Sequence, residues 1–163
     1  MPRKRSRRTR LALGADHNGV GLKRVLARAL RREGYPVRDL GTFNARSVDY
    51  PDVARRLGRA ILSGRADLGI LLCGSGVGAS VAANKIPGIR AGLCQDVFSA
   101  RQSREDDDTN VLCLGAFVVG ERLALELVHR WLKARFSGAP RHRRRLRKVA
   151  QLEKEAGSLF PRS

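Results

Sequence analysis

The chain has 163 residues, with 33 Lys or Arg against 15 Asp or Glu and a formal net charge of +18. Its length suits one domain with a single core, and 42% hydrophobic with only 5% aromatic residues points to an α/β domain built on Val, Leu, Ile and Ala. No run approaches the roughly 20 apolar residues of a membrane span, and no apolar segment follows the basic N-terminus as a secretory signal requires, so a soluble, cytoplasmic protein is expected.

Residues 1–10 (MPRKRSRRTR) hold six Lys or Arg, and residues 141–148 (RHRRRLRK) hold six more. Without those twelve the other 145 residues carry about +6, an ordinary charge for a soluble protein. The first tract is too short and polar to pack, and it is expected to be a disordered arm with weak affinity for polyanions. One domain is expected over residues 11–156, with a short tail over 157–163.

Leu11-Ala12-Leu13-Gly14-Ala15 is an apolar run ending in Asp16-His17-Asn18-Gly19, a strand followed by a turn. Leu22, Val25, Leu26, Ala29 and Leu30 recur at helical spacing, and Gly34 closes that helix. Val37–Leu40 is a second short strand. After Tyr50-Pro51, the set Val53, Leu57, Ala60 and Ile61 predicts another amphipathic helix.

Leu68–Cys73 is uninterrupted and apolar, as in a parallel strand covered on both faces. Small residues Ala79–Ala83 predict a helix packed close to the sheet. Ile89–Cys94 and Val111–Leu114 read as further strands around a polar helix near 97–105. Ala124, Leu127, Val128, Trp131 and Leu132 mark a long amphipathic helix, and 141–156 has the composition of a basic one. Alternating strands and helices predict a Rossmann-like three-layer α/β/α sandwich on a five-stranded parallel sheet. Ligands bind such folds beyond the carboxyl ends of the strands, so Asp16-His17, Cys73-Gly74-Ser75 and Asp106–Asn110 are expected along one edge.

Cys73-Gly74-Ser75-Gly76-Val77-Gly78 joins a thiol, a hydroxyl and three glycines at a strand-to-helix junction. Glycines let backbone N–H groups turn inward, and such a nest binds a phosphate or a developing oxyanion. The same partial positive charge makes Cys73 a better base or nucleophile. The loop lacks the Gly-Lys-Ser/Thr ending of a Walker A motif, and it follows the third strand instead of the first, unlike a dinucleotide fingerprint. Cys94 and Cys113 read as small buried hydrophobes, and no C-x-x-C pattern suggests a zinc or redox site.

Six collinear segments carry a resemblance: Gly14-Ala15-Asp16-His17, Asp49-Tyr50-Pro51, Cys73–Gly78 with Ala82–Lys85, Gly88–Ala91, Asp108–Leu112 and Arg141-His142. The chain resembles the type B ribose-5-phosphate isomerases and the galactose-6-phosphate isomerase subunits from about residue 11 to 150. The resemblance implies a homodimer or homotetramer with active sites at the subunit interface, a small sugar phosphate as substrate, and no metal or organic cofactor. It implies aldose–ketose isomerisation through a cis-enediolate, with Cys73 as the base and Ser75 assisting proton transfer at the oxygens. Asp16, His17 and Tyr50 would contact or shape the substrate site, and the amides of Gly74, Gly76, Val77 and Gly78 would meet the enediolate oxygen. Asp107 and Asn110 would also bind substrate. Arg141 and Arg145, four apart and so on one helical face, would grip the phosphate together with His17. Arg143, Arg144, Arg147 and Lys148 are read as a solvated face.

Two segments depart from the pattern. Many such isomerases carry a ring-opening histidine where this chain has Asp106, and Asn where it has Asp107. A carboxylate accepts a proton at pH 7 but does not donate one, so Asp106 takes over that catalytic role only if crowding by Asp107 and Asp108 keeps a proton on it. Phe117 stands where relatives often have Arg. Both departures lie in the substrate half of the site, leaving two alternatives open: an isomerase for another aldose, six-carbon or unphosphorylated, and a retired member binding polyanions through its basic ends.

Overall fold

The computed structural model describes residues 8–159, with side chains to residue 156. Five strands alternate with helices: β1 (Leu11–Ala15), α1 (Val20–Arg32), β2 (Val37–Asp39), α2 (Tyr50–Leu62), β3 (Leu68–Cys73), α3 (Val77–Ala83), β4 (Ala91–Leu93), α4 (Val97–Asp107), β5 (Val111–Gly115) and α5 (Glu121–Lys133). A sixth helix, α6 (Pro140–Leu159), follows α5. The strands form one sheet in the order β2-β1-β3-β5-β4, every pair parallel.

The apolar runs took the central places because only there are both strand faces covered: β1, β3 and β5 are buried along their whole length. Alternation divides their side chains between two cores. Leu11, Leu13, Ile70, Leu72, Leu112 and Leu114 pack with Leu26, Leu30, Leu127, Val128 and Trp131 of α1 and α5. Ala12, Leu71, Cys73, Val111 and Cys113 point the other way, onto Val53, Leu57, Ala79 and Ala83 of α2 and α3. The predicted three-layer sandwich is the observed one. Lys23, wholly buried in α1, is compensated by an ion pair with Asp39 and by the Phe43 ring 4.6 Å from its ammonium. No helix among the described residues is long and apolar enough to cross a membrane.

Several expectations change at the margins. The predicted strand over Ile89–Cys94 shrinks to β4 because Gly88 turns left-handed (φ 84°), while Arg90 N–H donates to the Asn110 side chain, 2.8 Å away. The expected disordered arm lies mostly outside the described residues, but its last residues are docked. Arg10 forms a bidentate pair with Asp67, with contacts of 2.6 and 3.2 Å, and Arg8 lies 5.8 Å over the Tyr35 ring. At the other end α6 runs past the expected domain boundary at 156.

The largest correction concerns the sheet edges. After β4 the chain enters α4, which returns it to the amino edge, and Asp106–Asn110 precede β5 instead of following a strand. Gly69 N–H, at the start of β3, donates to the Asn110 carbonyl at 2.9 Å. Asp106–Asn110 therefore sit at the edge opposite Cys73, about 16 Å away at a rise near 3.3 Å per residue.

Candidate active site

The switch in strand order falls between β1 and β3. From β1 the chain moves outward to β2, and from β3 it moves the other way to β4, which opens a crevice at their carboxyl ends. Asp16 and His17 leave β1 there, and Cys73 leaves β3 beside them: Asp16 N–H donates to Leu72 O at 3.1 Å.

Asp16 is 5% exposed. Its Oδ1 accepts from the amides of Asn18 (2.9 Å) and Gly19 (3.2 Å), which fixes the turn. Its Oδ2 has no partner among the described residues. His17 Nδ1 accepts from Val48 N–H at 3.3 Å, which leaves the ring proton on Nε2 as a donor for a ligand.

Cys73 closes β3 opposite Gly115, 5% exposed. Gly76 N–H donates to its Sγ at 3.1 Å, a contact that stabilises negative charge on sulfur. Val77 N–H donates to Ser75 Oγ at 3.2 Å, holding the exposed hydroxyl over the helix start. Gly76 adopts φ 81°, and a Cβ there would lie 2.9 Å from Leu114 C and 2.5 Å from Leu93 Cδ1. Only glycine permits this bend against β5. The amides of Ala116 and Phe117 donate to the carbonyls of Cys73 and Gly74, both at 2.9 Å, lacing the loops after β3 and β5 together.

Tyr50 begins α2 and lays its ring on Gly78, where an added Cβ would be 2.8 Å from Cζ. The Phe117 ring stands likewise against Gly74, 75% exposed, so an apolar wall occupies the place where the resemblance implies an arginine. Gln95, which the sequence did not single out, joins the loop: its Nε2 donates to Ser75 O at 3.4 Å. Burial pushes the thiols of Cys94 and Cys113 up, in keeping with their reading as buried hydrophobes.

The remaining expected residues gather at the amino edge. Asp106 Oδ2 accepts from Gln102 at 2.9 Å, and its Oδ1 lies 3.4 Å from Nδ1 of His142, in the first turn of α6. Arg141 Nε–H donates to His142 Nε2 at 3.1 Å. Arg143 is tied back by a 2.7 Å bond to Gly138 O, whereas Arg145 has no partner among the described residues. Asp107 is exposed. Both ends of the Asn110 amide are engaged inside the chain, accepting from Arg90 N and donating to Gly88 O, each at 2.8 Å. That clamp holds the β4–β5 edge. His142, 3% exposed between Asp106 and Arg141, belongs to the Arg141-His142 segment of the resemblance, which gave the histidine itself no role. Among the described residues no three His, Cys, Asp or Glu side chains are grouped to hold a metal ion.

The family model described as Ribose/Galactose Isomerase matches residues 11–149. The chain is 43% identical over 144 residues to ribose-5-phosphate isomerase B of Escherichia coli, a match covering 88% of this chain and 96% of that protein. It is 41% identical over 129 residues to D-erythrulose-4-phosphate isomerase of Pectobacterium atrosepticum, covering 78% of this chain and 85% of the other. Among solved structures, ribose-5-phosphate isomerase B of Clostridium thermocellum superposes with a TM-score of 0.88 at 48% identity, over 90% of this chain and 99% of that one.

Proposed function

The chain belongs to the ribose/galactose isomerase family, and on that premise we propose that it interconverts ribose 5-phosphate and ribulose 5-phosphate through a cis-enediolate, with Cys73 as base. The observation that carries the reading is the 3.1 Å contact from Gly76 N–H to Cys73 Sγ, inside a loop whose backbone turns toward the same crevice as Asp16 and His17.

Starting from the open-chain aldose, the Cys73 thiolate takes the proton from C2. The C2–H electron pair forms the C1–C2 double bond, and the carbonyl pair moves onto O1. Loop amides and the His17 Nε2–H meet the charge that develops on oxygen, and donors already in place need no reorganisation as the charge forms. The Cys73 thiol then returns the proton to C1 while O2 becomes the carbonyl, and Ser75 Oγ assists the transfer of the O2 proton to O1. Gly76 N–H stabilises the thiolate at both ends of this cycle. Tyr50 and Phe117 wall the crevice and exclude water from the enediolate.

The phosphate grip assigned to Arg141 and Arg145 lies at the amino edge of the same chain, too far from Cys73 to serve one sugar. We therefore assign the site to two copies, Cys73, Asp16 and His17 coming from one and Arg141, Arg145, Asp106 and Asp107 from the other. A homodimer is the smallest assembly that does this, and a homotetramer repeats it. Support comes from exposed apolar side chains clustered on elements around the carboxyl edge: Val77, Val81, Phe98, Phe117 and Val118. We place the reaction in the cytoplasm.

A second reading keeps the chemistry and changes the sugar. Asp106 is paired with His142, and Phe117 covers Gly74, so ring opening and phosphate contacts differ from the pattern the resemblance implies. Turnover of ribose 5-phosphate, allose 6-phosphate, D-erythrulose 4-phosphate and free ribose by the wild type and Cys73→Ala decides both points. Ribose 5-phosphate is expected to turn over fastest, and C73A to lose about three powers of ten in kcat with little change in KM. Full activity in C73A would overturn the mechanism. Faster turnover of another sugar would overturn the substrate.

A further inference from the structure

His142 is buried at the junction of three elements, which is unusual for a residue of a basic surface helix. Its Nδ1 lies 2.7 Å from Ser137 Oγ and 3.4 Å from Asp106 Oδ1, while its Nε2 lies 3.1 Å from Arg141 Nε. The arginine nitrogen is always a donor, so Nε2 must be the bare acceptor and the ring proton must sit on Nδ1. An imidazolium would set two N–H groups against each other across that 3.1 Å contact. The contacts thus place the ring proton on Nδ1, facing the hydroxyl and the carboxylate, and the lone pair on Nε2, facing Arg141.

The consequence falls on Arg141. Its Nε–H is held inside the chain, and its two terminal nitrogens make no hydrogen bond among the described residues. A guanidinium anchored through Nε presents a planar fork in a set direction, the form in which arginine binds phosphate oxygens in pairs. Arg143, two residues on, shows the contrast, because its Nε is held by a backbone carbonyl that turns it away toward Gly138.

We propose that His142 is a positioning residue for phosphate: its Nε2 lone pair aims Arg141, and Asp106 with Ser137 holds the ring from the Nδ1 side. The relay gives Asp106 a task that a carboxylate performs well, fixing an imidazole tautomer, in place of the proton donation that a carboxylate at neutral pH performs poorly. The proposal builds on the reading of Arg141 as a phosphate ligand and goes beyond it, since it gives His142, Ser137 and Asp106 the task of holding that ligand in place.

The test compares His142→Asn, His142→Gln, Arg141→Ala and the double variant H142N/R141A. Asn keeps a donor on the Nδ1 side and loses the acceptor facing Arg141, whereas the Gln side-chain oxygen can replace Nε2. H142N should raise KM for ribose 5-phosphate about tenfold, the size of one hydrogen bond to a charged group, with kcat changed less than about threefold. H142Q should restore most of the KM, and H142N should have no further effect in the R141A background. A KM left unchanged in H142N, a loss confined to kcat, or an effect that adds in full to R141A would each overturn the relay. Should H142N fail to fold by circular dichroism, Ser137→Ala loosens the ring from outside and must show the same KM rise, absent in R141A. Calorimetric binding of inorganic phosphate separates the two readings: weaker binding in H142N and R141A alike upholds the relay even if ribose 5-phosphate is not turned over. Wild type that binds no phosphate, or H142N that binds it as wild type does, sinks it.

Discussion

The indole N–H of Trp131 donates to Thr109 Oγ1 at 2.9 Å, and the Thr109 hydroxyl donates in turn to Ser103 Oγ at 3.1 Å. The chain of bonds joins α5, the turn before β5 and α4 inside the larger core, with Trp131 wholly buried and Thr109 5% exposed. Thr109 thus locks helices to sheet. Thr109→Val keeps the shape and strands the Trp131 donor, so it should cost about 1–3 kcal/mol. Urea unfolding monitored by tryptophan fluorescence measures it, and a loss near zero would contradict the assignment.

Gly76 bends the Cys73 loop at φ 81° against the backbone of Leu114 and Gly115. Gly76→Ala combines left-handed strain with a contact that backbone atoms cannot relieve, and it should destabilise by about 2 kcal/mol or more. Because the Gly76 amide also holds Cys73 Sγ, kcat should fall further than the loss of folded protein explains. Activity per folded molecule, with the folded fraction taken from thermal denaturation, separates the two effects.

Mixing two variants, one lacking the base and the other nearly inactive when assayed at substrate concentrations far below its KM, tests the shared site. Cys73→Ala and Arg141→Ala damage opposite edges of one chain. In a mixed dimer both lesions fall in one site, and the other site is whole. Random exchange between equal amounts should recover about a quarter of wild-type activity. Recovery indistinguishable from the two parents would mean that each chain holds a complete site.

Asp96 caps α4, accepting from Ser99 N–H at 2.8 Å and from Ser99 Oγ at 2.7 Å. The Ser99 backbone bond, with help from its hydroxyl, holds the Asp96 carboxyl below its ordinary value. A carboxyl depressed in the folded state contributes stability above its unfolded value and loses it as the pH falls through the folded one. Asp96→Ala should therefore melt lower than wild type at pH 7, with the gap closing as the pH drops below the carboxylate range. A gap of constant size from pH 7 to pH 3 would show that the ionised cap contributes nothing.

Much of the architecture was legible because it is local. Leu68–Cys73 has no polar residue to turn toward water, so it could only be a strand covered on both faces. The thiol and glycines after it mark an anion-binding loop, and the strand order puts that loop beside Asp16 and His17. What escaped was set by direction and distance. A helix of eleven residues carries Asp106 back across the sheet, as a crossover between parallel strands must, so Asp106 ends on the edge where β5 begins and not where a strand ends. The partner of Asp106, His142, is 36 positions away in an arginine-rich segment whose composition gives no sign that a side chain is buried. The local pattern of α6 reports a basic helix, and only the packing of its first turn against α4 buries one side chain.

The span of the sheet between Cys73 and Asp106 also bears on how activity scales. Under the proposed two-copy assignment, with the base at one edge of the sheet and the phosphate grip at the other, neither edge is a catalyst by itself and each site is made in the act of association. Turnover per chain should then follow the dimer population: constant at high protein concentration, and falling on dilution with a midpoint at the dissociation constant of the pair.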